Sequence, residues 1–88
     1  MSTIELAGFV TRSKYRKKVF LSFEDKMKMP SQIEKELDLR FTHITRELKF
    51  LVGKGLIECI NPKERVGRLY RLTKKGKELQ KIIINEFE

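Results

Sequence analysis

Between residues 30 and 51 apolar side chains recur at helical spacing twice, on either side of a short break. Ile33 and Leu37 lie four apart, and Phe41, Ile44, Leu48 and Leu51 then fall at i, i+3, i+7 and i+10. That spacing predicts two amphipathic helices joined by a tight turn, each with one buried stripe. Pro30 suits the first helical position, where its missing N–H has no partner in any case. Asp38 can take the left-handed backbone that a sharp turn demands, though less easily than glycine. The second of the two helices starts near Arg40 or Phe41, and Gly53 and Gly55 stop it.

Upstream, residues 1–11 carry Ile4, Leu6, Phe9 and Val10, which fit either a short strand or the first turn of a helix. Tyr15, Val19, Phe20 and Phe23 fall on one helical face, so residues 12–24 read as a helix, basic at its front and apolar toward its end. Lys28 and Met29 form a brief connector, with room for one residue pair of a sheet. Downstream the period changes to two, in LIECIN and again in RLYRL. With Asn61, Pro62 and Gly67 between them, residues 56–72 predict a β-hairpin with a loop of about six residues. Thr73 is a good helix N-cap. The helix it opens, over 73–88, has Leu79, Ile82, Ile83 and Phe87 on a wide apolar face.

The expected architecture is therefore mainly α with a small β-hairpin (α+β), in the order α-α-α-β-β-α. All 88 residues read as a single domain, without repeats, low-complexity tracts or a linker. A chain this short buries only roughly 60% of its unfolded surface, so a partner subunit would help its thin core. No apolar run approaches the ~18 residues of a membrane span, and the N-terminus lacks a signal-peptide layout, so a cytoplasmic protein is expected. Cys59 is the single cysteine, which leaves no intrachain disulfide and no multi-cysteine metal site.

Charge sharpens the picture. Twenty Lys and Arg against 12 Asp and Glu give a net charge of +8, which favours a polyanionic partner over solubility alone. The 40–51 helix concentrates the effect. Thr42, Thr45, Arg46 and Lys49 recur at i, i+3, i+4 and i+7, opposite the apolar stripe. A helix fits the major groove of double-stranded DNA, where Arg46 can take guanine bidentately and the threonines can reach phosphates, base edges or a thymine methyl. Arg40, at the helix start, is placed for a phosphate, and His43 reads as a groove-side or rim residue. The hairpin loop adds Lys63, Arg65 and Arg68 against Glu64. The basic run ahead of Val19 can touch flanking phosphates or be plain surface.

With one histidine and scattered glycines there is no catalytic pair, no metal cluster and no phosphate loop, so neither an enzyme nor a cofactor is expected. Cys59 reads as a small, half-buried hydrophobe. Phe50 lies off the apolar stripe. It either packs under the N-terminal segment or serves a subunit interface with Leu79, Ile82, Ile83 and Phe87. The run Ile82–Ile84 covers more of a helix than a small core needs, which favours a homodimer through the last helix.

The segments PSQIEKELDL, HITRELKFLVGKGLIE and NPKERVGRLYRLTKKG, about half of the chain, resemble winged helix-turn-helix domains of small archaeal transcriptional regulators. Two positions depart from that pattern: Glu34 stands where a small residue is usual, and Asp38 where the turn glycine is usual. The resemblance implies that the 40–51 helix reads the major groove and that the hairpin tip lies along the backbone or in the minor groove. It further implies a DNA-binding repressor that works by occlusion, without an evident small-molecule effector. A non-specific architectural protein and a protein-interaction module are the rival expectations.

Overall fold

Two serines divide the N-terminal third of the chain into two helices where apolar spacing predicts one. In the computed structural model, which describes residues 2–86, Ser2 and Glu5 form a capping box: the Ser2 hydroxyl accepts from the Glu5 amide at 3.2 Å and the Glu5 carboxylate from the Ser2 amide at 3.3 Å. These bonds hold the exposed Glu5 carboxyl below its ordinary pKa. Helix α1 (Thr3–Arg12) follows, and residues 3–11 are thus helix rather than strand. Ser13 is extended (φ −104°, ψ 120°) and its hydroxyl accepts from the Arg16 amide, which starts α2 (Lys14–Ser22) at a new angle.

The remaining elements are α3 (Pro30–Leu37), α4 (Phe41–Gly53), β1 (Ile57–Cys59), β2 (Tyr70–Leu72) and α5 (Lys74–Glu86). The α+β class with its hairpin is as expected, with one additional helix at the front. Asp38 does adopt the left-handed conformation (φ 53°, ψ 44°), and its amide closes α3 on the Glu34 carbonyl at 2.9 Å. Glu34 is half-buried beside that turn. Lys28 and Tyr70 exchange two backbone hydrogen bonds of 2.9 Å, so the connector before α3 adds an isolated rung beside β2.

The hairpin pairs Ile57 with Leu72, Glu58 with Arg71 and Cys59 with Tyr70. Its loop, residues 60–69, is longer than the spacing suggests. Asn61 accounts for the difference: its Oδ1 accepts from the Leu69 amide at 2.7 Å and its Nδ2 donates to the Gly67 carbonyl at 3.1 Å. One side chain thereby extends the pairing past the backbone bond from the Ile60 amide to the Leu69 carbonyl at 2.9 Å.

Every element contributes to one core, from Leu6 and Val10 of α1 to Leu79 and Ile83 of α5. Helix α5 ties the ends of the other elements together. Gln80 donates to the Phe20 and Phe23 carbonyls at 3.1 and 2.7 Å, satisfying the C-terminus of α2. Thr73 caps α5 through the Gly76 amide (3.0 Å) and donates its own proton to the Gly55 carbonyl (2.6 Å). Among the described residues, no helix is long and apolar enough to cross a membrane.

Two glycines within helices should behave oppositely. A Cβ on Gly76 would stand 1.9 Å from the Leu56 carbonyl oxygen, so Gly76→Ala forces backbone apart and is expected to destabilise by about 1–3 kcal/mol. Gly8, inside α1, has open space around it, and Gly8→Ala is expected to stabilise by up to about 1 kcal/mol. Urea unfolding of both variants checks the pair, and equal signs would contradict the packing described.

Candidate nucleic-acid interface

Helix α4 buries Ile44, Glu47, Leu48 and Leu51 and leaves Thr42, Thr45, Arg46 and Lys49 exposed on the opposite arc. Arg40, its N-cap, is also exposed. The buried arc differs from the expected stripe at one end. Phe41 is 47% exposed, because the helix is rolled so that Glu47 rather than Phe41 completes the inner face. Thr45 donates its hydroxyl to the Thr42 carbonyl at 3.2 Å.

Next to α4 stands the hairpin loop, and the two enclose an open groove of about 1030 Å³. Phe41, Thr45 and Lys49 form one wall, while Arg65, Val66 and Arg68 form the other. Helix face and loop therefore make one continuous surface that mixes cationic and apolar side chains. Arg68 is held against the loop by a 2.7 Å bond from its Nε to the Glu64 carbonyl. Lys63 and Arg65 are exposed. The loop stays fixed at its root through Asn61 and through Gly67, whose φ of +72° suits a residue without Cβ.

The other flank of α4 faces α2 and holds the feature that apolar spacing does not announce. Glu47, only 2% exposed, accepts from Arg16 Nε at 3.0 Å and lies 3.5 Å from Arg46 Nε through its second oxygen. Arg16 also donates to the Phe9 carbonyl at 2.7 Å, and its guanidinium lies 4.0 Å from the centre of the Phe9 ring and 4.9 Å from that of Phe50. Arg46 Nη2 donates to His43 Nδ1 at 3.1 Å, which requires the neutral tautomer with its proton on Nε2. The His43 ring is stacked on Tyr15, with centroids 4.6 Å apart. His43 is thus a half-buried flank residue, and Glu47 belongs to the site although sequence patterning passes over it. Its position on the helical wheel, at the edge of the apolar stripe beside Leu51, was the available signal.

The residues expected at a subunit interface are dispersed. Leu79 and Ile83 are sealed in the core of the chain itself, because α5 packs against α1 and β2 with that face. Ile82 is half-buried, and Phe87 lies outside the described residues. Phe50 meets Phe9 edge to face at 6.3 Å and still leaves 45% of its surface exposed. It does pack under the N-terminal segment, with apolar area to spare. The basic run of α2 places Lys14, Lys17 and Lys18 in a shallow cleft shared with Glu24 and Glu36, a mixed rather than purely cationic surface. Cys59 is half-buried with its thiol 3.6 Å from Asn61 Oδ1. Among the described residues, no cluster of three or more His, Cys, Asp and Glu is placed to hold a metal ion.

Compared with known proteins, residues 17–88 match the winged helix-turn-helix family. Among solved structures, the reduced form of MarR from E. coli superposes on 93% of this chain with a TM-score of 0.74 and 25% sequence identity. The chain spans 64% of that protein, a little under two thirds of its length. No curated protein matches the sequence.

Glu47→Ala strips the counter-charge from Arg16, which is largely withdrawn from water against Phe9 and Phe50. Removing one partner of a buried ion pair costs about 3–5 kcal/mol, and the lower end is expected here because Arg16 keeps 14% exposure. A thermal or urea midpoint unchanged from that of the parent chain would contradict the pairing.

Proposed function

This chain belongs to the winged helix-turn-helix family, and on that premise we propose that it is a cytoplasmic, sequence-specific regulator of transcription that binds double-stranded DNA. The observation that carries the reading is the continuous groove in which Thr45 and Lys49 of α4 face Arg65 and Arg68 of the hairpin loop. In this reading α4 enters the major groove. Arg46 takes guanine, and Thr45, its hydroxyl already committed to the Thr42 carbonyl, offers its methyl to thymine. Arg40 and Lys49 reach phosphates, and the loop cations Lys63, Arg65 and Arg68 follow the adjacent backbone or minor groove. His43 lies at the rim. The net charge of +8 supplies affinity through counterion release, so binding weakens steeply with salt.

A homodimer would set two such helices in successive major grooves, ~34 Å apart, and repress by occluding a promoter. The apolar surface for it would come from Ile82 of the last helix, with the free part of Phe50. The exposed Ile84 and Ile4, on helices that pack against one another, add to that supply. Leu79 and Ile83 support such an interface from beneath rather than touching the partner.

Selection from a randomised duplex pool at fixed salt tests the reading, since a regulator should prefer its site by ~10³-fold or more over unrelated DNA. Equal affinity for all duplexes would favour a non-specific architectural protein, and absence of salt-dependent binding would favour a protein-interaction module. Arg65→Ala is expected to weaken all duplexes alike and lower the salt slope by about one, whereas Arg46→Ala should relax base preference at one position. Identical effects of the two substitutions would contradict this division of labour.

A further inference from the structure

Behind Arg46 lies a chain of polar contacts that base reading by a free arginine does not require. Glu47 is fixed from the rear: Arg16 Nε binds one carboxylate oxygen at 3.0 Å, and Arg16 is in turn held by the Phe9 carbonyl at 2.7 Å and by the rings of Phe9 and Phe50. The other oxygen of Glu47 faces Arg46 Nε at 3.5 Å, while Arg46 Nη2 reaches His43 Nδ1 at 3.1 Å. His43 cannot swing freely, because it is stacked on Tyr15.

Nε–H and one N–H of Nη2 share one edge of a guanidinium group. In Arg46 both of these nitrogens lie against the protein, Nε 3.5 Å from Glu47 and Nη2 3.1 Å from His43. The opposite edge, with Nη1 and the second hydrogen of Nη2, is left for a ligand, and Arg46 remains 54% exposed. Two parallel N–H groups are what the O6 and N7 acceptors of guanine need. A surface arginine loses much rotamer freedom on binding, and holding it beforehand lowers that cost.

We propose that Glu47 and His43 are positioning residues that hold Arg46 edge-on for guanine, so that α2, through Arg16 and Tyr15, sets the base preference of α4. The inference rests on the DNA-binding reading given above. It has an unusual signature. Glu47 is a buried anion behind the arc that meets phosphates, so neutralising it should leave general DNA affinity equal or higher while discrimination falls. A merely structural residue would lower both.

The test uses the full chain, the duplex it enriches from a random pool, and a second duplex changed at the base pair that Arg46→Ala ceases to distinguish. Glu47→Gln keeps an acceptor for Arg16 and turns an amide N–H₂ toward Arg46. His43→Phe keeps the ring on Tyr15 and removes only the acceptor. Each is expected to cut the ratio of dissociation constants for the two duplexes about tenfold, as Arg46→Ala does. Glu47→Gln in the Arg46→Ala background should add nothing, and binding of Glu47→Gln to unrelated duplex should not weaken. If both variants keep the parent ratio while Arg46→Ala loses it, the positioning role is overturned and the DNA reading stands. If the parent chain enriches no sequence, or Arg46→Ala loses discrimination at no base pair, base reading by Arg46 itself falls, and the positioning role with it. Should a thermal melt show Glu47→Gln unfolded, His43→Phe decides alone.

Discussion

The structure turns on one buried carboxylate. Glu47 lies on the inner face of α4, and a charge there is tolerable only with a counter-charge and hydrogen bonds in place. Arg16 supplies both, and in doing so it fixes how α2 docks on α4. Several features follow from that docking. The roll of α4 that admits Glu47 turns Phe41 outward toward the hairpin loop. Phe9 and Phe50 are drawn together around the Arg16 guanidinium. Arg46, the next residue in the chain, inherits a defined orientation from the second oxygen of the same carboxylate.

A second set of contacts couples the helix to the loop beyond it. The end of α4 runs through Gly55, in a left-handed conformation, directly into Leu56 and β1. Thr73 at the head of α5 binds the Gly55 carbonyl, Lys75 reaches the Lys54 carbonyl at 3.3 Å, and Gly76 lets α5 lie against Leu56. The root of the hairpin and the last turn of α4 are thus clamped by the same turn of α5. A wing built this way presents its cations at a fixed distance from the helix face. Shared anchoring suits recognition of a rigid duplex, in which groove and backbone stand in fixed relation.

Charge and apolar surface divide the molecule's exterior by role. The groove between α4 and the loop brings cationic and apolar side chains together, a mixture that suits phosphates flanking base edges and methyl groups. The α2 lysines sit beside Glu24 and Glu36, so that their charge is partly offset at home. Clustering of charge, rather than the net excess, therefore sets this groove apart from the α2 surface.

Local pattern was enough to determine the helix pair around Asp38, the hairpin, the Thr73 cap and the outward arc Thr42–Thr45–Arg46–Lys49, because each depends on neighbours within a few residues. Two local signals went unread: Ser2 with Glu5, and Ser13, which split the expected first helix and its leader into two helices. The length of the loop was set by Asn61, whose side chain bonds to Gly67 and Leu69 at the far side of the turn. What tertiary structure alone decided was which polar side chains face inward and which apolar ones do not. Glu47 is buried and Phe41 half-exposed because Arg16, 31 residues away along the chain, pairs with the carboxylate. Periodicity ranks a glutamate as surface, and only a distant partner brought alongside by folding can reverse that ranking.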